Sequence, residues 1–358
     1  MPLKPDSRIL IVPLRFIGDT VLTMPMLARL RELMPKAHLS ILVSRVTEPL
    51  LTPCPLIDEI QREPKGMLST LRMLKTGRYD AVILLRKSWT MALLCQLAGI
   101  PVRAGYDKQR LPWGYRRPGM FLTHRAMYPS LKTRTHQIES HLGLLTALGF
   151  PPAANPPPLA LWTTAEDDQR VDALLGECGI PADKPLAVVH PASASHGKQL
   201  PVEKYVGAIE QLHRSGHTVL ATGVTQDQPL IAGLQRLVNV PIHDLSGRTS
   251  LRETVALYRR IRCLLTVDSS PVHLAAAAGV PDVVGVYGPT NERQWGVIQP
   301  GVTFIPVYND LPCRPCYAKV CSHNNCRMQL PAESIKNAIK SVCKPALPAG
   351  EGGSGGAG

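Results

Sequence analysis

Short apolar segments alternate with helix-like patterns along this chain, and this alternation most limits the folds open to it. In the first half, each short apolar run is followed by a segment whose apolar residues recur at helical spacing. The strand-like segments are residues 9–14, 38–43 and 81–85, and the helix-like segments are residues 20–33, 67–74 and 91–97. Strands and helices in this order predict a parallel sheet with helices on both faces.

A proline-rich segment at 151–158 interrupts this pattern and predicts a stiff, extended linker. The alternation then restarts. Its strand-like segments are residues 186–190, 218–222, 263–267 and 283–287, and its helix-like segments are residues 167–178, 202–214, 230–237, 251–260 and 272–278. We therefore predict an α/β protein with two doubly wound domains, residues 1–155 and 165–330. A helical segment at 331–345 and a flexible glycine-rich tail at 346–358 follow them.

Composition agrees with two globular domains. The chain has 358 residues, of which 44% are hydrophobic and 19% charged, so each half can bury a core. No run of eighteen apolar residues occurs, which argues against a membrane-spanning helix. The apolar run at 9–12 is too short for the core of a signal peptide, so we expect a cytoplasmic protein.

The net charge of +13 points to an anionic partner, because an excess of this size attracts nucleic acid, acidic membranes or acidic substrates. The charge is concentrated at 101–136, where Asp107 is the only acid. The basic residues there are Arg103, Lys108, Arg110, Arg116, Arg117, Arg125, Lys132 and Arg134. The segment is either a solvated basic loop or an anion-binding surface, and the pattern alone leaves both open.

The segment 264–277 joins an apolar strand to a helix through Asp268, Ser269 and Ser270, with Pro271 placed for the first helical turn. A helix that begins at the carboxyl end of a strand offers free backbone N–H groups and partial positive charge. Doubly wound folds bind phosphate at such a point. The plainer alternative is an ordinary capped helix, which the local pattern favours when taken alone.

A second strand, at 186–190, ends in a loop of small residues that leads to Lys198. Small side chains allow a diphosphate to approach the backbone, and a lysine can neutralise it. The spacing is not that of a P-loop. A polar loop with a surface lysine is an equally good interpretation of this segment by itself.

The first strand ends at a turn containing Gly18, and Asp19 follows at the start of a helix. Asp19 is either a helix N-cap or a carboxylate in a cleft, able to take a proton from an acceptor hydroxyl. No Asp-x-Asp pair occurs in the sequence. A sugar transferase without such a pair must neutralise its leaving group with lysine and helix N-termini.

Four blocks in order resemble the ADP-heptose:lipopolysaccharide heptosyltransferases, glycosyltransferase family 9. They are IGDTVLTMP at 17–25, HPAS at 190–193 with Lys198, DLSGRTSL at 244–251, and VDSSPVHLAAA at 267–277 with VYGPT at 286–290. The blocks cover most of the chain from residue 9 to about 330 and fall on the predicted strand–loop–helix junctions.

The resemblance implies a GT-B fold, in which two Rossmann-like domains face a central cleft. By this resemblance the first domain binds the acceptor, the second binds the nucleotide sugar, and the last helix returns to the first domain. It also implies an inverting, metal-independent transfer of heptose from ADP-heptose to the lipopolysaccharide inner core. We accordingly expect a monomer without cofactor or nucleic-acid partner. Its acceptor is an acidic, lipid-linked saccharide, met by peripheral contact with the cytoplasmic face of the inner membrane.

By position, the resemblance makes Asp19 the general base and places Lys198 against the diphosphate and sugar. The donor-binding residues it implies are Ser193, Thr249, Asp268, Ser269, Ser270 and His273. A ribose-binding acid is expected near Gln226 and Asp227. For the acidic acceptor we expect Arg15, Arg103, Arg116 and Arg117. The chain departs from the family in having Ser269-Ser270 where Thr-Gly is common, and Gln199-Leu200-Pro201 where a polar residue and Trp-Pro are usual.

The nine cysteines fall into two groups. The scattered ones, expected to be reduced and buried, are Cys54, Cys95, Cys178, Cys263 and Cys343. The others, Cys313, Cys316, Cys321 and Cys326, lie within fourteen residues, with His323 among them. A four-cysteine zinc site is conceivable, but only one Cys-x2-Cys knuckle is present, and disulfides are disfavoured in a reducing compartment.

Three alternatives remain open from the sequence. A family member that uses another nucleotide sugar or acceptor would carry the same motifs. A nucleotide-sugar epimerase would share the two-domain fold but would need no acceptor. A nucleic-acid-binding protein would explain the basic segment at 101–136, and its binding would weaken with salt.

Overall fold

The computed structural model describes residues 3–107, 118–128, 135–195, 197–318 and 320–343. In these residues, twelve strands form two six-stranded sheets in which every pair is parallel. Several predictions lie outside the described residues, namely those for Lys108, Arg110, Arg116, Arg117, Lys132, Arg134 and the tail 346–358.

The first sheet has the strand order β3-β2-β1-β4-β5-β6. Its strands are β1 (Arg8–Val12), β2 (His38–Val43), β3 (Glu59–Arg62), β4 (Ala81–Leu84), β5 (Val102–Asp107) and β6 (His124–Met127). The helices of this half are α1 (Ile17–Leu33), α2 (Glu48–Leu51), α3 (Met67–Thr76), α4 (Trp89–Leu97) and α5 (Gln137–Ala147), with a 3₁₀ turn at Pro118–Phe121. This order belongs to the dinucleotide-binding doubly wound fold, whose binding crevice lies between β1 and β4.

The second sheet repeats the same topology, with the order β12-β11-β10-β7-β8-β9. Its strands are β7 (Leu186–His190), β8 (Thr218–Ala221), β9 (Ile242–Asp244), β10 (Ile261–Val267), β11 (Asp282–Tyr287) and β12 (Thr303–Tyr308). Its helices are α6 (Ala165–Glu177), α7 (Val206–Arg214), α8 (Gln228–Leu237), α9 (Leu251–Tyr258), α10 (Ser270–Ala278), α11 (Glu292–Trp295), α12 (Asn325–Met328) and α13 (Ala332–Val342). Short 3₁₀ turns cover Val202–Tyr205 and Thr225–Asp227. The corresponding crevice lies between β7 and β10.

Alternating side chains of each inner strand feed two cores. Ile9 and Ile11 of β1 face a central core that also contains Val188 of β7, whereas Leu10 and Val12 face an outer core under α3 and α4. Because the central core takes residues from both sheets, α1 and α10 pack against each other between the two halves. Strands buried on both faces explain why the sequence shows continuous apolar runs there.

The final helix corrects one expectation. α13 packs on α7 and beside β11 and β12, and Ile335, Ala338 and Ile339 join the outer core of the second sheet. The prediction that this helix returns to the first domain is therefore wrong for Ala332–Val342. The physical reason is that its apolar stripe packs beside α7, and a Cβ atom added at Gly207 of α7 would lie 3.4 Å from Lys336 Cδ.

Most of the inner, buried strands and the helices beside them are predicted, and the missed elements are mainly edge strands and short helices. Strands at 38–43 and 186–190 have the predicted bounds, and α1 begins at Ile17, three residues earlier than expected. The missed strands are β3, β5, β6, β9 and β12, and the missed helices are α2, α5, α11 and α12. β5 and β6 lie in the basic segment 101–136, where charged residues break the apolar pattern although the backbone pairs in the sheet. Among the described residues, no helix combines the length and apolar character needed to cross a bilayer.

Candidate active site

The first helix begins at the carboxyl end of β1. Its N-cap position is Phe16, without a side-chain cap, and Asp19 lies in the first turn. Asp19 is therefore inside the helix and is not the N-cap, which removes the plainer interpretation of this residue. The early start places its carboxylate near the positive end of α1, at the crevice of the first sheet.

The N-terminus of α10 lies at the carboxyl end of β10. Ser269 occupies the N-cap position and Pro271 lies in the first turn, as the sequence predicts. The Ser269 hydroxyl donates to the carbonyl of Val267 at 3.3 Å and does not cap the helix. The first backbone N–H groups of α10 are thus not used by an N-cap side chain, and a helix end of this kind binds anions.

Gly18 and His273 hold the two helix N-termini together. A Cβ atom at Gly18 would lie 2.7 Å from His273 Cδ2 and 3.6 Å from the Cα of Ser270. Only glycine permits this approach, because real Cβ contacts are not that short. The sequence motif around Gly18 is thereby explained by packing between the halves, and it brings Asp19 next to the loop that carries Asp268.

A buried ion pair forms the centre of the site. Lys198 Nζ lies 2.8 Å from Asp268 Oδ2, and the hydroxyl of Thr290 donates to the same carboxylate oxygen. Asp268 is 3% exposed, whereas the Lys198 side chain is 28% exposed and opens toward the crevice. Loops after β7, β10 and β11 supply these three residues, so parallel neighbouring strands deliver them to one edge.

Asp19 has an unusual electrostatic environment. It is 9% exposed, and its Oδ1 has no hydrogen-bond partner among the described residues. Burial raises the pKa of Asp19 from 3.8 to about 6; the charge of Lys198 opposes this rise, and that of Asp268 adds to it. A carboxylate with a pKa close to neutral, in a cleft and beside a cation, has the properties of a general base.

His273 is buried beside Gly18 and is neutral. Burial, together with the charges of His136 and Lys198, lowers the pKa of His273 to about 3. Its Nδ1 atom has no partner in the part of the chain that the structure describes. Buried polar atoms are almost always satisfied in folded proteins, so the unpartnered nitrogen beside the N-terminus of α10 makes His273 a candidate contact for a ligand.

Hydrogen bonds connect the two halves behind this centre. Gln294 Nε2 donates to Gln137 Oε1 at 3.3 Å and to the Tyr128 hydroxyl at 3.5 Å, and the Tyr317 hydroxyl donates to Gln294 Oε1 at 2.5 Å. Burial raises the pKa of the Tyr128 phenol, and the nearby charge of Asp19 raises it further. This network fixes the spacing across the crevice.

A second charged group lies at the edge of the first sheet. Glu63 accepts two hydrogen bonds from Arg15, at 2.8 and 2.9 Å, and is paired with Arg86 at 2.7 Å. Burial opposes ionisation, but the bonds and charges of both arginines hold the pKa of Glu63 at about 2. Two guanidinium groups share one carboxylate, so the cluster keeps net positive charge, and the Arg15 side chain is 65% exposed.

Arg103 is not brought to the site. It is the second residue of β5, at the amino end, and its guanidinium donates to the carbonyls of Ile100 and Phe121 at 2.6 and 2.7 Å. In a parallel sheet that end lies at the edge opposite to Asp19. The acceptor-binding role expected for Arg103 is therefore wrong, because its hydrogen bonds hold neighbouring loops.

Other predicted donor residues lie near the centre or along the same edge. Ser270 begins α10, and the Ser193 hydroxyl accepts from the backbone of Ser195 in the loop before Lys198. Thr249 precedes α9, with its hydroxyl 3.0 Å from that of Thr254. The Asp227 carboxylate accepts from the backbone N–H of Val224 in the turn after β8.

Three functional positions escape sequence reasoning. Thr290, Gln294 and Tyr317 contact the centre or bridge the halves, yet none of them was singled out in the sequence as a site residue. The available signal was the position of Thr290 just after an apolar strand beside β10, in the block at 286–290. Tyr317 gave no signal because it lies in an irregular loop.

Gly18→Ala tests the contact between the helices. We expect a loss of about 1–3 kcal/mol in the free energy of unfolding, because buried His273 must move to admit the methyl group. Activity should also fall, since Asp19 is adjacent. Chemical denaturation measures the loss of stability, and kcat/KM measures the loss of activity.

Gly143→Ala is the matched control. It lies within α5, and a Cβ there meets nothing within 4 Å, so alanine should be neutral or stabilise the helix by up to about 1 kcal/mol. Unchanged stability in Gly18→Ala would contradict the close approach of α1 and α10.

Comparison with known sequences places this architecture in a family. The sequence profile described as "Glycosyltransferase family 9 (heptosyltransferase)" matches residues 67–327. "Lipopolysaccharide heptosyltransferase 3" of Escherichia coli strain K12 is 27% identical over 301 residues, which span 79% of this chain and 83% of that protein. The resemblance predicted from the four blocks is confirmed.

Solved structures agree. The glycosyl transferase family 9 protein from Veillonella parvula superposes with a TM-score of 0.77 at 19% identity, covering 96% of this chain and 99% of that one. An E. coli heptosyltransferase determined with ADP gives a TM-score of 0.69 at 19% identity, covering 93% and 99%. The predicted GT-B fold, with two Rossmann-like domains, is confirmed.

Proposed function

Because this chain belongs to glycosyltransferase family 9, the heptosyltransferase family, we propose that it moves a heptose from ADP-heptose to the inner core of lipopolysaccharide. That it is a glycosyltransferase follows from the family. The finer proposal is an inverting transfer that needs no metal ion. In it, residues 1–155 bind the acceptor and residues 165–330 bind the nucleotide sugar.

The observation that carries the proposal is the buried Asp19 carboxylate facing the Lys198–Asp268 pair across the crevice. An acceptor hydroxyl between them would lose its proton to Asp19 as its oxygen attacks the anomeric carbon. The bond from that carbon to the diphosphate oxygen breaks, and the nucleotide leaves as an anion. Attack from the face opposite to the leaving group inverts the configuration at the anomeric carbon.

Charge on the leaving diphosphate can be met without a metal. Lys198 is partly exposed to the crevice, and the N-terminus of α10 offers backbone N–H groups at the same edge. Asp268, held by Lys198 and Thr290, can accept hydrogen bonds from sugar hydroxyls. ADP as the nucleotide is supported by the E. coli structure determined with ADP, and Ser193, Ser269, Ser270 and Thr249 remain proposed donor contacts.

For the acceptor we propose that Arg15 binds an acidic group of the core saccharide. Its guanidinium is presented by Glu63 beside the loop that leads into α1, and Arg86 adds a second charge. Arg116 and Arg117 remain proposed acceptor residues outside the described part of the chain. An acidic acceptor fits the chain's net charge of +13.

Transfer is tested with the full chain and purified heptose-deficient lipopolysaccharide. ADP-heptose, ADP-glucose and UDP-sugars are supplied side by side, and products are read by mass spectrometry. We expect a mass gain of one heptose with ADP-heptose alone, and only when acceptor is present. A product formed with another nucleotide sugar would contradict ADP-heptose as the donor. Conversion of the nucleotide sugar into an isomer without acceptor would indicate an epimerase.

A membrane contact is proposed at the same edge. Phe16 and Leu68 are 72% and 84% exposed, and Met67 is 54% exposed. The Arg15–Glu63 pair joins the loop that carries Phe16 to the loop preceding α3, so these apolar side chains belong to one edge of the first sheet. Exposed apolar side chains flanked by Arg15 and Lys65 fit an anionic lipid surface.

Phe16→Ser with Leu68→Ser should weaken binding to vesicles of phosphatidylglycerol and phosphatidylethanolamine about tenfold or more, since each buried apolar side chain contributes about 1.5–3 kcal/mol. Sedimentation with vesicles measures it. Leu97→Ser is the matched control, because Leu97 is 55% exposed at the far end of α4. Equal losses in the control would overturn the proposed surface.

A further inference from the structure

Four cysteine thiols and one imidazole line a cavity beside the reaction centre, and Gly197 and Pro289 line it on the side of the centre. The cavity, of about 380 Å³, has Cys313, Cys316, Cys321, Cys326 and His323 in its wall. These residues lie in the loop between β12 and α12 or within α12 itself. All four clustered cysteines are free in the structure, and three of them are exposed. The sequence motif that the transferase function leaves unused is therefore one spatial cluster.

The segment that carries these thiols has little apolar packing of its own. Among the described residues of 311–324, no apolar side chain is buried, and Val320 is 91% exposed. Nevertheless the segment has a defined path rather than a helix or a strand. Loops with so few apolar contacts are commonly held by disulfides or by a metal ion.

One turn of the segment already has the geometry of a thiolate ligand. The backbone N–H of Asn324 donates to Cys321 Sγ at 3.4 Å, and Asn324 has a left-handed conformation with φ of 51°. Backbone N–H bonds to sulfur stabilise the thiolate form that binds metal. Cys313 and Cys316 form the Cys-x2-Cys pair found in structural sites.

The thiols are not yet arranged around one point. Among the described residues, no three His, Cys, Asp or Glu side chains converge as a bound ion requires. Because Cys313, Cys316 and Cys321 line the cavity without converging, ligation would require the loop to close until the sulfur atoms meet. Binding would thus be coupled to closure of the loop, as is common in small metal sites.

We propose that Cys313, Cys316, Cys321 and Cys326 together bind one thiophilic divalent ion, zinc or iron, in a structural site. Four thiolates complete the coordination that such an ion takes in closed sites. The ion takes no part in sugar transfer, so this proposal is independent of the proposed function.

Two arginines beside the four cysteines form hydrogen bonds with the loops of the donor site. Arg314 donates to the carbonyls of Gly288 and Thr290 at 2.6 and 2.9 Å. Arg327 donates to the carbonyl of Gln199 at 2.6 Å. The loop therefore holds the segment that carries Thr290 and the one that follows Lys198. Closing it around an ion would stiffen both sides of the donor site.

Metal content tests the proposal directly. The full chain, purified under reducing conditions without chelator, is analysed by elemental mass spectrometry, which distinguishes zinc from iron. We expect about one ion per chain, and almost none in Cys313→Ser with Cys326→Ser. Cys178→Ser is the matched control, because Cys178 is a partly exposed thiol outside the cysteine cluster. The Cys178→Ser variant should retain the ion.

A second measurement, on the wild-type protein, keeps the proposal testable if the double variant does not fold. Wild-type protein stripped with a chelator is titrated with Zn²⁺ while the four thiols are labelled with a disulfide reagent. Protection of four thiols together with a raised Tm is expected. Purified chain without metal, and with no protection of its thiols by Zn²⁺ or Fe²⁺, would overturn the proposal. Two disulfides found among the four cysteines would also overturn it.

Discussion

Asp19→Asn is expected to lower kcat by about 10²–10⁴-fold while leaving donor binding close to wild type, because the amide keeps the shape of the carboxyl but cannot accept the proton. Asp19 lies in the first turn of α1 and senses the charges of Lys198 and Asp268, and in the proposed mechanism it contacts the acceptor and not the nucleotide. Single-turnover transfer and ADP-heptose binding by calorimetry separate the two effects. Full activity in this variant would overturn the assignment of Asp19.

The same substitution should make the fold more stable at neutral pH. The folded pKa of Asp19 is about 6 against an ordinary 3.8, so the folded state binds the proton more tightly than the unfolded chain. The ionised carboxylate therefore destabilises the fold above about pH 6, and this penalty disappears as pH falls toward 3.8. The rise corresponds to about 3 kcal/mol, so a higher Tm at pH 8 with no gain at pH 4 is expected.

Activity should depend on pH through the same group. The proposed mechanism needs ionised Asp19, so kcat/KM is expected to fall as pH drops below about 6. A pH profile measured with saturating acceptor gives the midpoint of this limb. A midpoint near 4 would show that burial does not control this carboxylate.

Lys198→Ala has the second largest expected effect, a loss of about 10²–10³-fold in kcat/KM, because the charge on the leaving diphosphate would lose its cation. Asp268 would also be left buried without its partner, 2.8 Å away in the intact protein. Removing one member of a buried pair costs about 3–5 kcal/mol, and the 28% exposure of Lys198 places the expected loss of stability below that range.

The pH profile distinguishes a role at the centre from simple destabilisation. The charge of Lys198 lowers the pKa of Asp19, so in Lys198→Ala the acidic limb should move to higher pH. Lys198→Arg should keep the limb in place, and Lys75→Ala, at an exposed lysine near the end of α3, should leave both rate and profile unchanged. An unmoved limb in Lys198→Ala would contradict the charge coupling between the two residues.

Much of the architecture can be predicted from the sequence because buried parallel strands need continuous apolar runs. The runs at 38–43 and 186–190 have the bounds of β2 and β7, and the junctions that end in Asp19, Lys198 and Asp268 are all at strand ends. Edge strands such as β3 and β6 were missed, since their half-exposed, charged residues do not form an apolar pattern. Arg103 was wrongly assigned to acceptor binding. Its charge can be read from the sequence, but its position at the amino end of β5, away from the site, cannot.

The sequence alone determined that the chain has two doubly wound halves and that small and charged residues follow their inner strands, since local periodicity and turn chemistry depend on neighbouring residues. The tertiary structure decided which of these residues meet. Gly18 against His273, Lys198 against Asp268, and Gln294 between Gln137 and Tyr317 are all contacts between distant segments. The raised pKa of Asp19 was also decided by the tertiary structure. Asp19 is buried, and senses the charges of Lys198 and Asp268, only when α1 and α10 pack against each other.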